Sequence, residues 1–283
     1  MKILLVGSGG QVGSALAHAL PSVGVLRALD RTALDILDPN AIRSALRDVR
    51  PDVIVNAAAY TAVDQAERES QLAMAVNAKA PGALAREARA TGALLVHFST
   101  DYVFDGQKPT PYVETDAATP LNVYGQSKLE GEREIVASGC RHFVFRTSWV
   151  YAAAGRNFLR SILAAARTQQ ELRVVDDQRG SPTASGAIAA AVAAILSDPE
   201  LATKPSGLYH LCAAGDTTWY GFARAILAAK GIATPLVAIQ SSDYPAAARR
   251  PRNSCLDCGL ARSTFGVALR DWRQELTAVL ADV

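Results

Sequence analysis

A glycine-rich segment near the N-terminus constrains the fold of this chain more than any other feature. Gly7, Gly10 and Gly13 form a G-x-x-G-x-x-G motif that follows the apolar run 3–6 and opens an amphipathic segment at 11–19. The first glycine permits a tight turn, the second lets the backbone approach a pyrophosphate, and the third lets the helix pack close to the sheet. Free N–H groups and the positive helix end then bind phosphate. The motif therefore predicts a βαβ unit that binds a dinucleotide.

The first 150 residues continue this alternation of short apolar runs and longer amphipathic segments. Strands are predicted at 3–6, 25–29, 53–56, 94–98 and 143–146, and helices at 11–19, 39–48, 65–91 and 124–137. Such alternation indicates a parallel sheet with helices on both faces. We therefore predict an α/β fold with a Rossmann-type doubly wound parallel sheet and a smaller C-terminal α/β substrate lobe.

The pattern after residue 150 is less regular. Helices are predicted at 157–168, 185–197, 220–230 and 271–281, a strand at 208–211, and loops at 176–183 and 241–254. We expect residues 1–150 to form the NAD(P)-binding Rossmann domain and residues 185–211 to cross back to it. Residues 151–184 and 212–283 would then form the substrate-binding lobe.

Composition argues against several classes of partner. A net charge of +2 in 283 residues gives no electrostatic basis for binding nucleic acid or a membrane surface. The longest apolar segment, 187–196, is shorter than the ~20 residues that span a bilayer. The N-terminus enters the first strand without a signal-peptide core, so we expect a cytoplasmic protein.

The cysteines and histidines suggest no metal site. Cys255 and Cys258 have C-x-x-C spacing, but a second pair and clustered histidines are missing, and half a site does not hold zinc. We therefore predict reduced thiols without a role. His97 and His210 fall within predicted strands, so we interpret them as buried structural residues.

Residues after the second and third strands suggest how the adenosine end of a dinucleotide would be bound. Asp30 favours NAD, because a carboxylate there accepts from the ribose hydroxyls, whereas Arg31 could pair with the 2′-phosphate of NADP. The choice stays open. Asp35 and Ile36 lie in the next loop, where an adenine ring could rest against Ile36. Small residues leave room for the cofactor along the edge of the sheet: Ala57, Ala58 and Ala59, followed by Tyr60 and Thr61.

A hydroxyl, a phenol and an amine are expected to meet beyond the fourth strand. Thr100 follows that strand, and Tyr124 and Lys128 are four residues apart at the start of a predicted helix, so they share one face. Together these groups can move a proton on and off an oxygen atom.

These motifs resemble the extended short-chain dehydrogenase/reductase superfamily, which combines the glycine motif with a Tyr-x-x-x-Lys pair. Several strings are more specifically similar to the dTDP-4-dehydrorhamnose reductase family. They are G-Q-V-G (10–13), N-A-A-A-Y-T-A-V-D (56–64), S-T-D-Y-V-F-D-G (99–106), P-L-N-V-Y-G-Q-S-K-L-E-G-E (120–132), R-T-S-W-V-Y (146–151) and R-P-R-N-S (250–254).

The resemblance implies reduction of the C4 ketone of dTDP-4-dehydro-6-deoxy-L-mannose to dTDP-L-rhamnose by NADPH, with NADH as an alternative. Tyr124 would protonate the carbonyl oxygen, and Thr100 would bind that oxygen. Lys128 would bond the nicotinamide ribose and lower the pKa of Tyr124. The resemblance also implies that Gln11, Val12, Phe98 and Ser99 contact the cofactor.

On the substrate side, the resemblance implies that Asp101 and Trp149 contact the sugar. Arg250 belongs to a loop with Arg249 and Arg252, and the planar guanidinium fork suits a diphosphate, so we take Arg250 as a substrate-binding residue.

One position departs from the family. Some members hold a divalent cation at a dimer interface through a glutamate early in the first helix, where this chain has Ala15. We therefore expect no metal, and a homodimer, if formed, without a metal bridge.

Two rival functions stay open. A related sugar-nucleotide reductase, an epimerase or a dehydratase would share the fold, but a dehydratase generally has a glutamate after the aspartate, where this chain has Tyr102. A non-catalytic NADP-binding regulatory subunit is the other, although all three catalytic groups are retained.

Overall fold

The computed structural model describes residues 1–283. The strands are β1 Lys2–Val6, β2 Val25–Leu29, β3 Val53–Asn56, β4 Leu94–Thr100, β5 His142–Thr147, β6 Val150–Tyr151, β7 Leu172–Val175, β8 Arg179–Gly180, β9 Thr183–Ala184, β10 Gly207–His210, β11 Thr217–Thr218 and β12 Leu236–Ile239. The α-helices are α1 Gln11–Ala19, α2 Pro39–Val49, α3 Val63–Ala66, α4 Ser70–Met74, α5 Ala80–Thr91, α6 Val123–Ser138, α7 Phe158–Ala166, α8 Ser185–Leu196, α9 Trp219–Ala229, α10 Gly259–Phe265 and α11 Trp272–Leu280. None of these helices has the length and apolar character needed to cross a membrane.

The centre of the molecule is a six-stranded parallel sheet in the order β10-β5-β4-β3-β1-β2. The order reverses after β1, since β2 lies on one side of it and β3, β4 and β5 on the other. The predicted Rossmann-type parallel sheet is thus confirmed. In such sheets ligands bind beyond the carboxyl ends of the strands at the reversal, which is where the glycine motif lies.

Both faces of the sheet are buried under helices, as its apolar strands predict. On one face Leu16 of α1 and Ile188 of α8 pack in a cluster with Phe143 of β5. On the other, Ile42 of α2 and Leu84 of α5 pack in a second cluster. Burial of apolar side chains on both faces stabilises the sheet whose edge carries the candidate site.

The segment 185–211 lies with this sheet, because α8 packs against α1 and β10 pairs with β5. Most of the remaining C-terminal residues surround a separate core of α7, α9 and α11, which includes Phe222 and Trp272. The interpretation of this second core as a substrate-binding lobe stays a prediction.

The helix predicted at 65–91 is wrong in being uniform. The chain leaves the helical conformation at 67–69, after α3, and is then continuously helical from Ser70 to Thr91 through α4, a π-helical turn at Ala75–Lys79 and α5. The buried Asn77 side chain accepts from Tyr60 N–H at 2.8 Å and donates to Tyr60 C=O at 3.0 Å and to Ser127 Oγ at 3.0 Å. Helix α6 also crosses closely here, since a Cβ on Gly131 would lie 2.1 Å from Asn77 O. These tertiary contacts override the uniform helical pattern.

Sequence patterns also missed several short elements in the second half. The paired strands β7 and β12, and helix α10, were not predicted, and the predicted loop 176–183 contains β8 and the start of β9. The strands β8 and β9 pair with β11 and β6 over only two residues each. Two residues carry no readable periodicity, so their partners alone define them.

Candidate active site

A cleft of about 1070 Å³ opens along the carboxyl ends of the central strands. It brings together most of the predicted site residues: Gly10, Gln11, Val12, Ala57, Ala59, Thr61, Phe98, Ser99, Thr100, Asp101, Tyr124, Lys128, Trp149 and Arg250. The cleft does not include the predicted cofactor residues Gly7, Asp30, Arg31, Asp35, Ile36, Ala58 and Tyr60.

The glycine loop has the geometry of a phosphate cradle. Gly7 has φ +83°, and a Cβ there would lie 2.4 Å from the backbone nitrogen of Ala58. A Cβ on Gly13 would lie 2.0 Å from Gly7 O, so only glycine lets α1 approach the loop this closely. Gly10 precedes α1, and no side chain caps the helix. Gln11 Oε1 is buried without a hydrogen-bond partner. The free N–H groups and the cradle therefore fit a dinucleotide pyrophosphate.

The adenosine end of the predicted site lies beside the glycine loop, since a Cβ on Gly9 would lie 3.8 Å from Asp30 Cβ. Asp30 Oδ1 already accepts from Thr32 Oγ1 at 2.6 Å and from the N–H groups of Thr32 and Ala33 at 2.9 and 3.0 Å. The Thr32 hydroxyl and these amides hold the pKa of Asp30 below its usual range. Arg31 is exposed.

The other predicted residues of this region serve the loop structure. Asp35 Oδ1 accepts a hydrogen bond from Leu37 N–H at 2.9 Å. The Tyr60 hydroxyl donates a hydrogen bond to Glu69 Oε2 at 2.8 Å. Ile36 and Ala58 are half-buried against the apolar cluster on the α2 face. Contact of these four residues with a cofactor stays a prediction.

Tyr124 lies at the start of α6, where the Asn122 side chain caps the helix by accepting from Gly125 N–H at 2.7 Å. Burial raises the pKa of Tyr124 to about 12. The charge of the Asp101 carboxylate also raises this pKa, whereas a hydrogen bond from the Thr100 hydroxyl lowers it. The net shift is opposite to the lowering predicted from Lys128, because burial disfavours the phenolate.

Lys128 is buried on the same helix face. Its Nζ donates to Phe98 O at 2.6 Å and lies 3.2 Å from His97 Nε2. Burial lowers the pKa of Lys128 to about 8, and the charge of Glu132 opposes that shift. His97 Nδ1 is in turn 3.1 Å from the Asn56 amide nitrogen. His97 is the buried strand residue that the pattern predicts, but only the structure reveals its contact with Lys128.

Asp101 is buried beside Thr100. Its carboxylate accepts from Thr100 Oγ1 at 3.0 Å and from Ser148 Oγ at 3.0 Å. Burial raises the pKa of Asp101 to about 6 despite hydrogen bonds from the Ser254, Thr100 and Ser148 hydroxyls, which act in the opposite direction. Asp101 can therefore donate or accept a hydrogen bond near neutral pH.

Trp149 forms one wall of the cleft in a strained conformation. Its φ of +47° lies in the left-handed region that a bulky residue rarely adopts. Its ring stacks on Trp219 with centroids 3.5 Å apart and 3° between planes. A Cβ on Gly180 would lie 2.4 Å from the Trp149 ring. Sequence reasoning identified Trp149 but missed Trp219, because 70 residues separate the two.

A second cleft of about 1060 Å³ shares Trp219 and Arg250 with the first. Arg250 pairs with Asp64, with 2.7 Å between Nη2 and Oδ2, and donates to Ala248 O at 3.0 Å. Arg249 and Arg252 also line the second cleft, are exposed, and form no ion pair. The two unpaired guanidinium groups are thus the better placed to meet an anionic ligand.

Comparison with known proteins identifies relatives over the whole chain. The family model described as the RmlD substrate binding domain matches residues 1–283. The curated dTDP-4-dehydrorhamnose reductase of Burkholderia thailandensis is 44% identical, covering 100% of this chain and 99% of that protein. The Escherichia coli K12 protein of the same name is 41% identical, covering 100% and 98%.

Solved structures agree with this result. The dTDP-4-dehydrorhamnose reductase of Bacillus anthracis, crystallised in complex with NADP, superposes with a TM-score of 0.94 at 31% identity, covering 100% of this chain and 99% of that one. A UDP-glucose 4-epimerase of Thermus thermophilus, in complex with NAD, has a TM-score of 0.79 at 19% identity over 100% and 98% of the chains, a similarity of fold alone.

Proposed function

The chain belongs to the dTDP-4-dehydrorhamnose reductase family, and on this premise we propose that it reduces the C4 ketone of dTDP-4-dehydro-6-deoxy-L-mannose to dTDP-L-rhamnose with NADPH. The observation that carries the proposal is the shared cleft. Thr100, Tyr124 and Lys128 line the same cavity as Gly10 of the phosphate cradle, in a chain that matches curated reductases from end to end.

The cofactor is NADPH, with NADH as an alternative, and when bound it supplies the hydride. The uncapped start of α1 and the orphaned Gln11 oxygen support pyrophosphate binding at the glycine loop. Asp30 Oδ1 is occupied by its own turn, whereas Arg31 is exposed and free to pair with a 2′-phosphate. This difference supports NADPH over NADH.

The proton chemistry is assigned to the three predicted catalytic groups. Tyr124 donates its phenolic proton to the carbonyl oxygen as that oxygen becomes an alkoxide, and its raised pKa keeps the phenol protonated beforehand. Thr100 hydrogen-bonds the same oxygen. The buried Lys128 ammonium, anchored on Phe98 O, bonds the nicotinamide ribose and stabilises the phenolate that remains after proton transfer.

The sugar nucleotide would extend from this centre into the second cleft. Asp101 and Trp149 would contact the sugar, and the stacked Trp149–Trp219 pair marks the junction between the two clefts. Arg249 and Arg252 supply free guanidinium forks for the diphosphate. Arg250 would contact the substrate from its ion pair with Asp64, which fixes its orientation.

The test combines purified protein, NADPH and dTDP-4-dehydro-6-deoxy-L-mannose. We expect absorbance of the reduced nicotinamide to fall and dTDP-L-rhamnose to appear in stoichiometric amount by NMR. Tyr124→Phe should lose about 10²–10⁴-fold in kcat, because the proton donor is removed. NADPH binding, followed by nicotinamide fluorescence, should persist and serves as the folding control.

Other outcomes identify the rivals. If wild type fails to oxidise NADPH with this substrate, the proposal is rejected. Cofactor that stays bound through purification, together with substrate epimerisation without net NADPH consumption, would indicate an epimerase. Stable NADPH binding with no turnover on any sugar nucleotide would indicate a regulatory subunit. Cytoplasmic location and a homodimer without a metal bridge stay predictions.

A further inference from the structure

Two cysteines that are distant in sequence lie in contact outside the catalytic groups. The Sγ atoms of Cys212 and Cys258 are 3.5 Å apart, although the two cysteines are 46 positions apart in the chain. Cys212 closely follows β10, and Cys258 immediately precedes α10. The C-x-x-C motif suggests Cys255 as the partner of Cys258, but the thiol that Cys258 contacts is that of Cys212.

The two thiols are chemically different. Cys258 Sγ accepts a hydrogen bond from the Cys212 backbone N–H at 3.3 Å, and a second bond joins the two thiols, in which either sulfur can be the donor. These bonds lower the pKa of Cys258, although burial and the charges of Glu114 and Asp257 oppose them. The same contact and burial raise the pKa of Cys212. Because Cys258 is partly exposed and Cys212 is buried, the pair has one accessible nucleophile and one shielded partner.

We propose that Cys258 and Cys212 form a reversible disulfide when the protein meets a hydroperoxide. The Cys258 thiolate attacks the terminal peroxide oxygen and the O–O bond breaks, which yields a sulfenic acid; the departing alkoxide, or hydroxide from hydrogen peroxide, takes a proton from solvent and leaves as an alcohol or water. Cys212 then attacks the Cys258 sulfur, loses its proton, and the sulfenic hydroxyl leaves as water. Two thiols are oxidised to one disulfide and one peroxide is reduced, so atoms and electrons balance.

The disulfide would close a loop that contributes residues to the second cleft. Residues 213–257 lie between the two cysteines and include Trp219, Arg249 and Arg252, which line the second cleft. Closing this loop restricts the unfolded chain, so we expect the oxidised protein to melt about 5 °C higher than the reduced one. The proposal does not depend on the identity of the substrate.

The experiment uses the full-length protein, reduced and freed of reductant, then treated with hydrogen peroxide. Remaining thiols are blocked with N-ethylmaleimide, and tryptic peptides are analysed by mass spectrometry before and after dithiothreitol. We expect a dithiothreitol-sensitive link between the peptide with Cys212 and the peptide with Cys258. In a brief treatment of the reduced protein, maleimide should label Cys258 ahead of the other three cysteines.

Cys255→Ser is the matched control, because Cys255 is buried and its pKa is raised to about 11, so it should stay unreacted. The link should persist in Cys255→Ser and be lost in Cys258→Ser, with the NADPH affinity of each variant serving as the folding control. A link between Cys255 and Cys258, or sulfinic acid at Cys258 while Cys212 stays free, would overturn the proposal.

Discussion

At the residue scale, burial is the main influence on the titratable groups of the site, and Asp101 illustrates it. This residue is 2% exposed and accepts hydroxyl hydrogen bonds that include those from Thr100 and Ser148. Even so, burial raises its pKa to about 6, because the loss of hydration outweighs the opposing hydrogen bonds from neutral hydroxyls. The same burial raises the pKa of Tyr124 and lowers that of Lys128, so each group is biased toward its neutral form.

The raised pKa of Asp101 predicts a pH-dependent stability. The folded state holds the proton up to about pH 6, whereas the unfolded carboxyl releases it near 3.8. The contribution of Asp101 protonation to the free energy of unfolding is therefore complete below the pKa of the unfolded carboxyl and is lost as pH rises through the pKa of the folded one. This contribution is about 3 kcal/mol at most. Thermal melting of wild type and Asp101→Asn between pH 4 and about 6.5 measures this. The variant should lose part of the downward slope with rising pH, and equal slopes would contradict the assignment.

At the element scale, the edge of the cleft depends on strands too short to form alone. Strand β8 consists of two residues, and its Gly180 lies against the Trp149 ring. Trp149 keeps its unfavourable φ of +47° while its ring is held between Gly180 and Trp219. We infer that this sandwich of elements from distant parts of the chain orients the wall of the cleft.

Gly180→Ala should disturb this wall of the cleft without disturbing the residues proposed to bind NADPH. The new methyl group would lie within 2.4 Å of the Trp149 ring, so the ring must shift. We expect KM for the sugar nucleotide to rise about tenfold while the Kd for NADPH changes less than about twofold. Gly186→Ala is the matched control, since a Cβ there meets no atom within 4 Å. A parallel rise in both constants would argue for general destabilisation instead.

The π-helical turn at Ala75–Lys79 is a second element whose structure depends on contacts with distant parts of the chain. The buried side chain of Asn77 bonds both backbone groups of Tyr60 and the hydroxyl of Ser127, which joins the loop after β3 to helix α6. Asn77→Ala should destabilise the fold by about 2–4 kcal/mol, because several buried polar groups lose their partner. Urea unfolding measures the free energy. The control is Asn40→Ala, because Asn40 is exposed and is bonded to Asp38 through its backbone N–H and not through its side chain. Equal losses of unfolding free energy in the two variants would refute the role of Asn77.

At the scale of the whole molecule, the candidate active site lies between two separately packed cores. The sheet and its helices carry the glycine loop, Thr100, Tyr124 and Lys128. The C-terminal core of α7, α9 and α11 carries Trp219 and borders the second cleft. The ion pair Arg250–Asp64 and the hydrogen bond from Asn122 Nδ2 to Arg249 O join the C-terminal loop to the first half of the chain.

The whole-molecule prediction concerns metal dependence. Ala15, at the position where some family members have a glutamate, is half-buried against the apolar cluster of the α1 face and has no ligating atom. We expect excess EDTA to leave both turnover and the oligomeric state, measured by light scattering, unchanged. Loss of activity that magnesium restores, or dissociation on chelation, would show that a metal bridge exists.

Much of this protein could be read from local sequence. The glycine spacing, the apolar strands and the Tyr-x-x-x-Lys pair predicted the parallel sheet, the cofactor loop and the set of Thr100, Tyr124 and Lys128, because periodicity and backbone conformation depend on neighbouring residues. Tertiary structure alone decided the rest. It placed a π-helical turn around Asn77, stacked Trp149 on Trp219, tied Arg250 to Asp64, and brought Cys258 to Cys212 rather than to Cys255. These are contacts between residues far apart in the chain, and burial, which sets the pKa values of the site, is a property of the packed molecule and not of any segment.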